Sequence, residues 1–124
     1  MKNYTYLLLL SFLFTACYQQ ERNCKDFKTG KFRAEYAIDG KKQVSVFERT
    51  ENLEIETFGG KTDSTSIRWL SDCEYIGQKI NPKNMQERKA VDIKILTTNE
   101  NSYTFEFSLV GDSNKQKGTV TRID

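Results

Sequence analysis

The side chains in this 124-residue chain best suited to chemistry are three cysteines, Cys17, Cys24 and Cys73, and a scatter of carboxylates; histidine is absent altogether. Without histidine there is no Ser–His or Cys–His pair and no imidazole base. The cysteines lack C-x-x-C spacing, which leaves metal ligation with little to stand on. There is no G-x-S-x-G elbow, no glycine loop for phosphate and no calcium-loop spacing. The carboxylates do form pairs. Glu54 and Glu56 sit on one face of a predicted strand, and Asp63 and Asp72 share a face if the register permits. Such pairs perform acid–base work only where burial splits their pKa values. On a solvent-facing strand they form a solvated surface, and that is the expectation here. No catalytic residue, cofactor or metal is assigned, and an enzyme is the weaker class.

Cys17 is a different case because of what precedes it. Met1-Lys2-Asn3 is a short positive start, residues 6–14 form an apolar run broken only by Ser11, and Thr15-Ala16 supplies small residues ahead of the cysteine. This order is that of a secretory signal, and the run is too short for a spanning helix. Its end resembles a bacterial lipobox, with Phe14 in place of the usual Leu three positions before the cysteine. The expectation is cleavage after residue 16 and acylation of Cys17, so that residues 17–29 are the lipidated cysteine and a tether, and residues 30–124 a single domain. Several acyl chains would anchor the protein on a bilayer without crossing it.

Of the 19 basic residues only Lys2 lies in the leader, and none of the 17 acidic residues does. The mature chain is therefore almost neutral, unlike a nucleic-acid binder with its concentrated positive face. Cys24 and Cys73 remain after lipidation. In an oxidising envelope this pair is expected to form a disulfide, which helps a domain with a small core.

From Gly30 onward the hydrophobic pattern has period two. Phe32, Ala34, Tyr36 and Ile38 alternate with charged residues up to the turn Asp39-Gly40, a dipeptide suited to a tight hairpin. Val44 and Val46, then Leu53 and Ile55, are read as the apolar face of the next two strands. Ile67, Trp69, Ser71, Cys73 and Tyr75 share a face of a long segment that a bend at Asp72 or Gly77 interrupts. Val91, Ile93 and Ile95 follow, then Tyr103, Phe105, Phe107 and Leu109, and a weaker strand over 118–123. Asn81-Pro82 begins the one aperiodic stretch, predicted as a helical turn or loop near 81–89.

Seven or eight short strands joined by tight turns predict an all-β antiparallel meander, curled into a small lipocalin-like barrel or a strongly curved half-barrel. A two-sheet sandwich is the alternative. Eight strands leave little room beyond side chains, so a filled interior is expected. If a ligand cavity exists instead, Phe32, Tyr36, Trp69, Phe105 and Phe107 are its expected lining. Trp69 beside Arg68 is read as a core residue, not as a stacking platform. Lys79, Lys83, Arg88 and Lys89 make the 81–89 loop a locally basic end, read as solvated. Asp63-Ser64-Thr65 resembles the short O-glycosylation acceptor of Bacteroidota, with Ser64 as acceptor in a predicted turn.

With the lipobox, the segments 21–30 (ERNCKDFKTG), 67–75 (IRWLSDCEY) and 96–106 (LTTNENSYTFE) resemble a family of small flavobacterial lipoproteins. The family is uncharacterised, so the resemblance implies an exported, lipid-anchored domain and transfers no site residue. Some members bear the name DNA topoisomerase IV. A small, near-neutral exported domain has neither the ATPase nor the cleavage apparatus that name requires.

The resulting expectation is a lipid-anchored, disulfide-stapled β domain of the cell envelope. Tyr18 after the acylated cysteine, where sorting signals elsewhere have Asp, favours the outer membrane with the domain facing the periplasm. Three roles remain open: an interaction module for an envelope protein, a carrier of a small apolar ligand, or an inhibitor of a cell-wall hydrolase. No nucleic acid is expected as a partner.

Overall fold

The computed structural model describes residues 22–58 and 60–124; the leader and Cys17 lie outside them. The protein is all-β. Eight antiparallel strands follow one another around a closed barrel: β1 (Gly30–Ile38), β2 (Lys41–Arg49), β3 (Leu53–Phe58), β4 (Lys61–Ser71), β5 (Glu74–Lys79), β6 (Val91–Thr98), β7 (Ser102–Leu109) and β8 (Gln116–Arg122). β8 returns to β1, with Ala34 opposite Val120, and this closure leaves no unpaired edge. Gly118 makes the seam possible. A Cβ there would lie 2.6 Å from the Glu35 carbonyl oxygen and 2.8 Å from the Phe105 ring.

The β1–β2 turn sets the register of the first hairpin. Asp39 and Gly40 both take positive φ, 51° and 78°, as a two-residue hairpin turn requires. Ile38 therefore faces Lys41, Ala34 faces Ser45 and Phe32 faces Phe47. Directly opposed residues share a face, so Ser45, Phe47 and Arg49 point inward, and through the Phe47–Glu56 and Arg49–Glu54 pairs so do Glu54 and Glu56. The expected faces of β2 and β3 are thus inverted. Val46 is 42% exposed while Arg49 is 1% exposed. Both faces of β2 carry apolar residues, so alternation alone does not choose between them.

One end of the barrel is shut by a 3-10 helix, Cys24–Phe27, in a stretch expected to be tether; Cys24 and Phe27 are both buried. The Cys24–Cys73 disulfide is formed and ties this cap to the β4–β5 turn. A bulge at Leu96, between the Ile95–Phe105 and Thr97–Thr104 pairs, turns Thr98 inward in place of Thr97. Thr98 Oγ1 then accepts a hydrogen bond from the Asn23 amide, 2.9 Å, fixing the approach to the cap. Bulges re-aim side chains in this way. Arg122 completes the seal, its guanidinium 5.4 Å from the Phe27 ring and 5.1 Å from the Phe32 ring, and it also donates to the Asp26 carbonyl.

The 81–89 stretch lies at the opposite end as a loop. Its single turn is closed by the Lys89 amide on the Gln86 carbonyl. Asn84 Oδ1 accepts the Glu87 amide, and Glu87 Oε2 accepts the Lys83 amide. The turn starts at Asn84, not at Asn81, whose φ is 57°.

Candidate functional site

The barrel is filled over one half and hollow over the other. Near the cap, Phe32, Phe47, Trp69, Tyr75 and Tyr103 surround a buried guanidinium, that of Arg49. Its Nη1 donates to the Phe27 carbonyl at 2.6 Å; Nη2 donates to the Tyr103 hydroxyl at 2.8 Å and to the Tyr75 hydroxyl at 2.9 Å; Nε donates to Glu54 Oε1 at 2.9 Å. The Tyr75 hydroxyl donates in turn to Glu54 Oε1, 3.0 Å. Phe32 and Phe47 each lie 5.2 Å from the guanidinium carbon and Tyr75 4.9 Å, within cation–π range. Burial by itself disfavours the charge on Arg49, but Tyr75, Tyr103 and Glu54 outweigh it and raise its pKa further. Both tyrosines are themselves pushed up, chiefly by burial and against the pull of Arg49. A buried cation must be paired and hydrogen-bonded, and this cluster meets both conditions. It forms the floor of what lies above it.

Above the floor is a cavity of about 440 Å³, open at the end that carries the 80–90 loop. That volume falls within the usual range for small-molecule sites, roughly 300–1,000 Å³. A filled interior was expected, and the open half departs from it for a reason visible in the inward residues. On β2 to β5, beyond Phe47 and Tyr75 at the floor, these are small or polar: Ser45, Glu56, Thr65, Gly77 and Lys79. The bulky ones sit on the other side. Tyr36, Phe105 and Phe107 form a continuous aromatic wall, Tyr36 edge-on to Phe107 at 5.5 Å and Phe107 stacked on Phe105 at 5.7 Å. Val91, Ile93, Leu109 and Val120 extend this wall.

Of the expected lining residues, Tyr36, Phe105 and Phe107 face the cavity; Phe32 and Trp69 do not. Phe32 is fully buried beneath the floor. Trp69 lies at the capped end against Tyr75, ring centroids 4.7 Å apart, with Lys28 Nζ 5.1 Å from its ring centroid. The capped half takes both because the floor cluster and the disulfide-held cap already exclude a ligand there.

The carboxylates also depart from expectation. Glu54 and Glu56, read as a solvated pair, both line the cavity. Glu54 belongs to Arg49. Glu56 makes no ion pair within 4 Å among the described residues. Burial raises its pKa, Lys79 counteracts this, and Glu54 and Asp63 add to it. Asp63 pairs across strands with Glu56 near the mouth, whereas Asp72 lies at the capped end against Lys28, 3.0 Å. Lys79 is held between Asp63 at 3.8 Å and Glu87 at 3.2 Å. Its charge is therefore satisfied by the protein. Ser64 sits within β4 opposite Ile55, not in a turn, and is partly exposed.

The sequence reading missed Arg49 and the inward pair Glu54 and Glu56. The signal was available: a two-residue turn at Asp39-Gly40 forces Phe32 opposite Phe47, and the same parity carries Arg49 inward.

The fold and site define a class, an eight-stranded up-and-down β-barrel capped at one end and hollow at the other. No family model, curated protein or solved structure matches the chain.

Proposed function

We propose that this protein is a non-enzymatic carrier of a small, largely apolar ligand, similar in logic to lipocalins and held on the cell envelope by a lipid at Cys17. The observation that carries the reading is the cavity of about 440 Å³, with a continuous aromatic wall and a single open end. A packed core has no such hollow; interiors ordinarily approach crystal density.

The anchor reading accords with the outer surface. A barrel that crosses a membrane presents an apolar band outward, whereas β1 and β2 here present Arg33, Glu35 and Lys42, each more than two-fifths exposed at the side chain. This accords with anchorage without spanning; the outer membrane, with the domain facing the periplasm, is our reading from Tyr18 after Cys17. In sequence Cys17 comes shortly before Cys24, which belongs to the cap, and in this reading an anchor attached there leaves the mouth turned away from the bilayer. Ligand then enters from the aqueous side or from a partner protein in the envelope.

Native mass spectrometry of protein extracted gently from its own membranes tests this reading. The expected mass is that of residues 17–124 with acyl chains and one small-molecule adduct. A bare acylated mass, together with no uptake of an apolar fluorescent probe by the delipidated protein, would overturn the carrier reading.

A further inference from the structure

The charges around the cavity are not balanced, and the imbalance is local. Arg49 is neutralised by Glu54, and its remaining donors are taken by Tyr75, Tyr103 and the Phe27 carbonyl. Lys79 is shared by Asp63 and Glu87. Lys89 is exposed at the mouth. Lys79 also attracts Glu56, but its ion pairs are with Asp63 and Glu87. The Glu56 carboxylate thus lies inside the hollow without an ion pair among the described residues, with Glu54 two residues along the same strand and Asp63 directly across from it. A carboxylate so placed is poorly solvated and repelled by its neighbours, and an entering cation relieves both penalties. An entering anion meets the reverse: the interior cations are already occupied, and the free group is negative. A metal ion is a poor candidate for this position, because among the described residues no three metal-ligating side chains converge.

We propose that the cavity selects an amphiphile bearing one protonated amine, its ammonium on Glu56 and its apolar body against the wall of Tyr36, Phe105 and Phe107. The inference rests on the carrier reading and deepens it. At about 30 Å³ for a small polar or apolar unit, the hollow holds a molecule of roughly 15 non-hydrogen atoms. The Tyr36 ring, facing the same space as Glu56, offers the ammonium a second, cation–π contact.

Isothermal titration of the full-length domain with decylamine, decanol and decanoate separates the two readings. All three share one apolar chain and differ in the head group. Decylamine is expected to bind about ten-fold or more tighter than decanol, the scale of one charge-assisted hydrogen bond, with decanoate weakest. In Glu56→Gln, checked for an intact fold by circular dichroism, the amine-to-alcohol ratio is expected to fall to near one. Decanoate binding as tightly as decylamine, or a ratio unchanged in Glu56→Gln, would overturn the amine assignment while leaving the carrier reading standing. Failure of all three chains to bind would overturn the carrier reading and this inference together.

Discussion

Arg49 and Glu54 face each other across the β2–β3 pair, with guanidinium Nε and Nη2 each 2.9 Å from the same carboxylate oxygen, in the floor of the cavity. The pair divides the barrel into a packed half that holds the fold and a hollow half that is free for a ligand.

Arg49 is therefore expected to be costly to remove by itself and less so with its partner. Arg49→Met leaves a half-buried carboxylate and two buried tyrosine hydroxyls short of a partner, a loss of about 3–5 kcal/mol. Adding Glu54→Gln removes the stranded charge and is expected to recover part of that loss. Urea unfolding of the two variants decides it; equal destabilisation would show that the charge pairing contributes little.

The disulfide closes a loop with a sequence separation of 49, for which the chain-entropy model gives about 4 kcal/mol. It also holds Cys24 in the cap and Cys73 in the β4–β5 turn, where the Cys73 carbonyl accepts the Ile95 amide. Reduction, or Cys24→Ser with Cys73→Ser, is expected to lower the unfolding free energy, read from urea titration, by that order. Amide exchange is expected to rise first over the cap, residues 24–27.

Glu56 gives the stability a pH dependence of definite sign. Its folded pKa is raised above the ordinary 4.5, so in that interval the folded state binds more protons than the unfolded one. Its contribution to stability is complete below about 4.5 and is lost as pH rises through the raised value. Glu56→Gln is accordingly expected to raise the melting temperature at neutral pH, with the gain vanishing at pH 4. A gain that grew on acidification would contradict the buried, unpaired placement of this carboxylate.

Gly118 is expected to tolerate no side chain. Phe105 and the β1 backbone occupy the space a Cβ needs, so Gly118→Val forces the β1–β8 seam apart, at roughly 1–3 kcal/mol for overpacking or more where backbone must move. Loss of cooperative thermal unfolding in this variant, with Thr57→Val at an exposed position on β3 as a control outside the seam, checks the closure.

Period-two alternation, tight-turn dipeptides and two cysteines with no metal-ligand pattern were enough to determine an antiparallel meander, the inward faces of β1, β6 and β7, and the Cys24–Cys73 pairing. These are local properties: alternation and turn chemistry act between neighbours in the chain. The inward faces of β2 and β3 were written there too, in the parity of the Asp39-Gly40 turn, but Val44, Val46, Leu53 and Ile55 offered a competing apolar face. What the sequence alone left undecided was decided by closure. Bringing β8 onto β1 placed every bulky aromatic of the open half on one wall and set small and polar residues opposite, so a hollow remained where side-chain volume ran short. The same closure drew Arg49 among five aromatic rings and left Glu56 inside without an ion pair among the described residues. Neither volume nor charge balance is a property of a strand; both depend on which strands face each other across the barrel, and only the tertiary structure specifies that.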